Sequence, residues 1–205
     1  MTTSTAPETV TTSSATGEAA LFPAFLKLAG KQVLVVGAGP VAASKLEGLL
    51  SAGAIVRVVA PDVVDAIAQA PVEIVRRGFD ERDLDDVWYV VAAAPPPVNR
   101  AVSAAATARR LFVNAVDDPE NASVYLGAVV RRDGFTLAIS TDGRAPALAG
   151  LVREGLDALL PHDLDAWLRV SGEERQRWKA EGVPMEHRRG QLLVAINRLY
   201  EERRA

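Results

Sequence analysis

Two glycines in a Gly-x-Gly-x-x-Ala pattern could hold the pyrophosphate of a dinucleotide. Gly37, Gly39 and Ala42 follow a run of β-branched apolar residues, and a helical pattern begins directly after them. In such a turn the first glycine makes the tight bend and the second lets the pyrophosphate approach the backbone. The small third residue lets helix and strand pack closely, and the helix N-terminus adds positive partial charge. We therefore predict a dinucleotide site with Gly37, Gly39, Pro40 and Val41 as contacts; a strand–helix turn without a ligand is the alternative.

The residues after the next apolar strand distinguish the two nicotinamide cofactors. NAD needs an acceptor for the ribose 2′-hydroxyl, whereas NADP needs an arginine for its 2′-phosphate. Residues 60–62 read Ala-Pro-Asp, which offers a carboxylate and no adjacent arginine. We therefore predict NAD as the cofactor, with Pro61 and Asp62 beside the ribose. The alternative is that Asp62 is only a turn residue after Pro61.

Strands and helices alternate through the first half of the chain. Short apolar runs rich in β-branched residues are typical of buried parallel strands, and segments of helical periodicity separate them. Trp88 is expected in the core of the sheet. The alternation predicts an α/β fold, a Rossmann-type doubly wound parallel sheet. The predicted strands span 31–36, 55–60, 72–75, 87–94 and 111–116, and the predicted helices span 43–52 and 98–110.

The pattern changes after Pro119. Two strands are expected at 123–130 and 135–140, joined by a turn that contains Arg131 and Arg132. We expect this turn to be solvated; binding of propionate groups by the two arginines is the alternative. Three helices follow, and the first begins at a proline and carries a stripe of leucines. These helices are expected at 146–160, 163–180 and 184–203. The predicted organisation is a disordered tail at 1–20, a nucleotide-binding Rossmann domain at 21–118, a small α+β region at 119–161 and a C-terminal helical segment at 162–205.

Composition excludes several kinds of site. The chain has no Cys, which rules out disulfides, thiol catalysis and Cys-ligated metals, and its two His make a histidine-rich metal site unexpected. We predict no metal site. The formal net charge of -3 argues against a general binder of nucleic acid or of anionic membranes. With no secretory pattern and no run approaching about 18 apolar residues, a cytoplasmic protein without a membrane segment is expected.

Five stretches together resemble the siroheme-synthase dehydrogenase family. They are Leu-Phe-Pro-Ala-Phe-Leu at 21–26, the glycine turn with its flanking strand and helix at 33–54, Phe79-Asp80, Phe-Val-Asn-Ala-Val-Asp-Asp-Pro at 112–119, and Ala-Ile-Ser-Thr-Asp-Gly-Arg-Ala-Pro at 138–146. The resemblance covers residues 21 to about 161. Their combination is far more specific than any one of the motifs.

The resemblance implies an NAD-dependent precorrin-2 dehydrogenase that forms sirohydrochlorin. Some members of the family also insert ferrous iron, so a bifunctional enzyme is the alternative; a nucleotide-sensing regulatory module is a third. The family further implies a homodimer in which the region at 119–161 interlocks between subunits and binds the tetrapyrrole. Segment 162–205 is too short for the methyltransferase domain that some siroheme synthases carry.

The resemblance also implies roles for residues beyond the glycine turn. Its Asn-x-x-Asp signature places the proton acceptor on Asp117 and a substrate contact on Asn114; an ordinary turn and a buried amide are the alternatives. Ala93 and Ala94 begin a loop that should border the nicotinamide, although Ala94-Pro-Pro-Pro departs from the polar residues common in the family. A further loop, next to a helix start, is expected to bind the substrate's carboxylates, or to be only a turn that leads into the helix. Its candidate residues are Ser140, Thr141 and Arg144.

Overall fold

The first half of the chain folds as a five-stranded parallel sheet. The computed structural model describes residues 20–132 and 134–201, so the predicted tail lies outside the described residues except for its last one. The sheet has the order β3-β2-β1-β4-β5, and every neighbouring pair is parallel. The predicted α/β fold with a Rossmann-type sheet is confirmed. Its strands are β1 (Gln32–Val36), β2 (Ile55–Val59), β3 (Glu73–Val75), β4 (Tyr89–Ala92) and β5 (Phe112–Ala115).

Helices cover both faces of this sheet, which explains why its strands are apolar at nearly every position. Helices α1 (Pro40–Ser51) and α2 (Asp65–Ala68) lie over the face that carries Val33 and Val35. Helix α3 (Pro96–Ala108) lies over the opposite face, where the small side chains of its alanines permit close packing. A 3₁₀ turn, Glu81–Leu84, precedes β4. The sheet thus separates two hydrophobic cores, one beneath α1 and α2 and the other beneath α3.

The second half begins with an antiparallel hairpin. A 3₁₀ turn, Pro119–Asn121, follows β5, and the hairpin pairs β6 (Ala128–Arg132) with β7 (Phe135–Ile139). Helix α4 (Pro146–Leu159) packs mainly on β6. Its long apolar side chains point largely to solvent, and Ala149 is its buried residue.

Two long helices complete the described chain. Helix α5 (Leu164–Glu181) ends at Gly182, whose φ of 67° allows the turn into α6 (Met185–Glu201). The Trp178 indole donates to the Gln191 side chain at 2.7 Å, and the Trp167 indole donates to the Tyr200 hydroxyl at 2.7 Å. Both tryptophans therefore tie the two helices together.

Three local expectations were wrong. Trp88 is 61% exposed, because it precedes β4 at the amino edge of the sheet, where the Lys31 ammonium lies 3.9 Å from its ring centroid. Arg132 belongs to β6 rather than to a solvated turn, and its guanidinium lies 2.8 Å from the Asp157 carboxylate. Strand β6 begins five residues later than expected, because the N–H groups of Ser123 and the following residue donate to the Val113 carbonyl instead.

An ion-paired carboxylate fixes the segment between β3 and β4. Asp83 is buried and accepts hydrogen bonds from the Arg77 guanidinium at 2.7 and 2.5 Å and from the Asp80 N–H at 2.9 Å. The bonds from Arg77 are the main reason that the pKa of Asp83 lies below its ordinary value. Hydrogen bonds from the Arg82 side chain lower the pKa of the neighbouring Asp80 to about 2.

Asp83→Asn is expected to lower the free energy of unfolding by about 1–2 kcal/mol near neutral pH, since the half-exposed Arg77 stays solvated. The lowered pKa of Asp83 stabilises the fold above the unfolded-state value of about 3.9, and this contribution is lost as the pH falls through the lowered pKa. Urea unfolding of both proteins at pH 7 and pH 3 measures the effect. Their difference should shrink at pH 3; an equal difference at both pH values would contradict this account.

Candidate functional site

The glycine turn lies where the strand order of the sheet reverses. Strand β1 is flanked by β2 and β4, and the Gly37 N–H donates to the Val59 carbonyl at 2.9 Å while the Ala93 N–H donates to Val36 at 2.8 Å. Gly37 has a φ of 101°, and a Cβ placed on it would lie 2.2 Å from the Ala93 carbonyl oxygen. Only glycine fits, because both the positive φ and the adjacent backbone exclude a side chain.

The second glycine of the turn, Gly39, borders open space. Gly39 is the N-cap of α1, has an ordinary φ of -85°, and a Cβ built on it would meet no atom within 4 Å. No side chain caps the helix. The N–H groups of Val41 and Ala42 belong to the first turn, where a helix supplies no acceptor, and Pro40 has no N–H. Open space beside uncapped N–H groups fits an anion such as a pyrophosphate.

The loop after β2 runs beside this turn. The Val64 N–H donates to the Ala38 carbonyl at 3.1 Å, which holds the predicted ribose contacts, Pro61 and Asp62, close to the glycines. Both residues are exposed, so the carboxylate is available to a ligand. A second acidic residue, Asp65, stands in the first turn of α2.

The loop after β4 uses its N–H groups internally. Ala93 donates to β1, and the Ala94 N–H donates to the side-chain oxygen of Asn99 at 3.0 Å. The three prolines that follow have no N–H. This loop can therefore offer a ligand carbonyl oxygens but no backbone donor before Val98, whose N–H bonds the Pro95 carbonyl at 2.9 Å. The role of Asn99 was not predicted from the sequence. The only signal was the position of an amide side chain one turn after the prolines that begin α3.

A cleft of about 330 Å³ lies between the carboxyl end of β5, the hairpin and α4. It is lined by four of the predicted substrate-site residues, which come from two separate stretches of sequence. Arg144 does not line it; its guanidinium lies 3.3 Å from the Asp142 carboxylate, and both side chains are exposed. Lys45 of α1 lines the same cleft and was not anticipated from the sequence. The four predicted residues are Asn114, Asp117, Ser140 and Thr141.

Asn114 and Asp117 differ in burial and in bonding. Asn114 is 7% exposed; its amide N–H donates to the Val124 carbonyl at 2.9 Å, whereas its oxygen has no partner among the described residues. Asp117 is exposed and adopts a φ of 55°, which bends the chain after β5. Through that bend the two side chains reach one cleft. Asp118 next to it accepts two hydrogen bonds from the Asn121 amide, at 2.8 and 2.9 Å.

The loop before α4 is organised by its own hydroxyl groups. Ser140 Oγ accepts from the Asp142 N–H at 3.1 Å, and Thr141 Oγ1 accepts from the Ala145 N–H at 3.2 Å. Each hydroxyl still has its own hydrogen to donate. The loop thus serves as the turn that leads into α4, and its two hydroxyl groups remain potential donors to a ligand.

Across residues 20–132 and 134–201, no three His, Cys, Asp or Glu side chains are grouped so that they could hold a metal ion. Over the same ranges, no helix combines the length and the apolar character needed to cross a membrane.

A family model described as "Putative NAD(P)-binding" matches residues 24–128, just over half of the chain. The chain belongs to this family. The match spans the sheet and the glycine turn described above, and the prediction of a nicotinamide dinucleotide as cofactor is confirmed.

Similar proteins confirm the resemblance to siroheme-synthase dehydrogenases. Siroheme synthase 3 of Aeromonas hydrophila is 40% identical over 184 residues, which cover 86% of this chain and 39% of the relative. A siroheme synthase of Photorhabdus laumondii is 38% identical over 180 residues, covering 85% and 38%. The chain thus spans about two fifths of the length of these curated relatives. The solved structure of SirC, precorrin-2 dehydrogenase, superposes with a TM-score of 0.66 at 28% identity, covering 86% of this chain and 89% of that one.

Proposed function

We propose that the chain catalyses the NAD-dependent dehydrogenation of precorrin-2 to sirohydrochlorin. The observation that carries the proposal is the cleft, which combines the exposed Asp117 carboxylate with Asn114, a buried amide whose oxygen has no partner among the described residues. Asn114 belongs to β5 and Asp117 follows it, and β5 lies beside β4, whose end borders the glycine turn. The similarity to a precorrin-2 dehydrogenase over 89% of that structure supports the same activity.

The residues of the cleft divide the chemistry between them. NAD, when bound, supplies the acceptor for the hydride that the substrate loses. Asp117 accepts the proton, because its carboxylate is exposed and not engaged by Asn121 as Asp118 is. Asn114, which lines the cleft, contacts the macrocycle. Ser140 and Thr141 donate to substrate carboxylates, and Arg144 stays available to one outside the cleft.

NAD is proposed over NADP because of the loop after β2. Asp62 offers an acceptor to a ribose hydroxyl, and its charge repels a 2′-phosphate. Asp65 adds a second negative charge at the start of α2. Since NAD is held inside cells, we also propose a cytoplasmic location.

Insertion of ferrous iron into sirohydrochlorin is the second candidate function. Chelation requires a base for the pyrrole N–H protons, and Asp117 could serve as this base in the same cleft. This second function is supported by the similarity of the chain to proteins named siroheme synthase. A purely nucleotide-sensing module ranks below both, since it would need no cleft of this composition.

One assay tests these alternatives. Purified protein is mixed anaerobically with precorrin-2 and either NAD or NADP, and the absorption spectrum is followed until sirohydrochlorin forms; ferrous ion is then added. Turnover with NAD is the expected result. No turnover with either cofactor would reject the dehydrogenase, and equal turnover with NADP would reject the role given to Asp62.

The exposed face of α4 supports a homodimer. Leu148, Leu151, Val152 and Leu159 are 40–80% exposed on this one helix, more apolar surface than a monomer ordinarily leaves to solvent. Pro146 and Ala149 of the same helix line the cleft. A second subunit packed on α4 would therefore border the substrate site, which by itself is at the lower end of the usual range of about 300–1,000 Å³ for ligand pockets.

We expect the wild-type chain to be a dimer in light scattering at micromolar concentration. Leu151→Glu combined with Leu159→Glu should raise the dimer dissociation constant at least about 100-fold, because each subunit would bring two carboxylates that have to be desolvated in the interface. Leu193→Glu on α6 adds a charge at a similarly exposed leucine and should leave the dimer intact. A monomeric wild type would contradict the proposal.

A further inference from the structure

Lys45 gives the cleft a positive charge that comes from the nucleotide-binding half of the chain. It is half-buried on α1, and it is the one cationic residue among the described residues that line the cleft. Its ammonium forms no ion pair with a described residue. Arg144, which the sequence favoured as the anion-binding cation, faces Asp142 instead.

The position of Lys45 separates it from the pyrophosphate site. It is the sixth residue of α1, so it lies about 8 Å along the helix axis from the uncapped N-terminus. Lys45 lines the cleft, which no residue of the glycine turn does, so we leave the turn to its backbone N–H groups. Asp118 does not require it either, since that carboxylate accepts two bonds from Asn121.

The loop before α4 contributes two further donors to the lining of the cleft. Ser140 and Thr141 accept hydrogen bonds within their own loop, so their hydroxyl hydrogens remain free to donate. An ammonium from α1 and two hydroxyl groups from the loop before α4, all lining one cleft, suit a ligand that bears several carboxylates. A flat ring that bears acidic side chains has this arrangement.

We propose that Lys45 binds a carboxylate of the tetrapyrrole and thereby fixes the macrocycle against the nucleotide-binding domain. This inference rests on the proposed function and names the substrate contact that the sequence did not supply. Because the residue belongs to α1, the contact couples the orientation of the substrate to the helix whose N-terminus faces the dinucleotide. Lys45 then holds the macrocycle at one edge while Asp117 contacts another edge.

The test measures binding apart from turnover. Uroporphyrin, a stable porphyrin whose ring substituents all end in carboxylates, is titrated into the full chain and followed by its fluorescence. Lys45→Met should raise its dissociation constant about 10-fold or more, the value of one hydrogen bond to a charged group. Lys45→Gln should do the same, whereas Lys45→Arg should stay within about threefold of wild type. Lys179→Met, an exposed lysine of α5 that does not line the cleft, is the matched control and should change nothing.

Two further readouts separate the explanations. NAD affinity should be equal in all variants, which also shows that they are folded, and Lys45→Met should raise KM for precorrin-2 more than it lowers kcat. Wild-type affinity of Lys45→Met for uroporphyrin would overturn the inference and leave the proposed function standing. Loss of NAD binding in Lys45→Met but not in Lys45→Arg would overturn it by assigning the ammonium to the nucleotide. If the wild-type protein neither bound uroporphyrin nor oxidised precorrin-2, the proposed function itself would be rejected, and the inference about Lys45 with it.

Discussion

Asp117→Asn is expected to lower the rate of precorrin-2 dehydrogenation by about 10²–10⁴-fold, the usual contribution of a positioned general base, while NAD binds with unchanged affinity. The carboxylate follows β5, in a cleft that the glycine turn does not line. Asparagine keeps the shape of the side chain and, like aspartate, tolerates the φ of 55° at this position. The variant therefore removes the base without straining the turn, and single-turnover rates with NAD measure the loss.

Asp117→Ala and Asp118→Ala provide the controls. Alanine at the positive φ should add a loss of stability of about 1 kcal/mol that asparagine avoids, so the two Asp117 variants separate folding from catalysis. Asp118→Ala removes the acceptor for the Asn121 amide and should cost stability more than rate. Near-normal turnover in a well-folded Asp117→Asn protein would reject the assignment. A larger rate loss at Asp118 would place the base one residue later.

The same variant tests the second candidate function. If the wild-type chain inserts ferrous iron, Asp117→Asn should lose this activity as well, because one cleft holds both substrates. Retained chelation beside lost dehydrogenation would mean that another base serves the metal reaction.

The sheet and the glycine turn were predictable because their signals are local. The runs at β1, β2 and β4 are apolar except for Gln32 and Arg57, as expected where both faces of a strand are covered. Glycine spacing followed by helical periodicity specifies the turn without reference to distant residues. Even in the sheet, the ends of the strands were harder to predict than the strands themselves. Tryptophan is a residue type common in strands, but Trp88 precedes β4 and is exposed.

The lining of the cleft was only partly predictable, because it is assembled from distant segments. The motif at 112–119 and the loop at 138–146 each pointed to a site, and the structure brings Asn114, Asp117, Ser140 and Thr141 together; their roles remain predictions. Lys45 could not be placed there, since a lysine in a surface helix gives no sign of what faces it. The pairing of Arg144 with Asp142 was equally hidden, because it depends on side-chain rotamers within the loop.

The two glycines of the turn provide the last prediction, since they should fail in different ways. Gly39→Asp is expected to abolish measurable NAD binding while the protein melts like the wild type. The position is open and its φ is ordinary, so a side chain is accommodated without strain. A carboxylate there would repel the pyrophosphate and would itself cap the free N–H groups of α1, since aspartate is a favoured N-cap residue.

Gly37→Ala should instead destabilise the fold. Its methyl group would lie 2.2 Å from the Ala93 carbonyl oxygen at a φ of 101°, so β1 and the loop after β4 would have to separate. Calorimetric titration with NAD and thermal melting of both variants measure the contrast: Gly39→Asp loses binding with Tm preserved, and Gly37→Ala loses several degrees in Tm. Wild-type NAD affinity in Gly39→Asp would remove the dinucleotide from this turn. An undiminished Tm in Gly37→Ala would show that the close approach of Gly37 and Ala93 does not constrain the packing of β1 against the loop after β4.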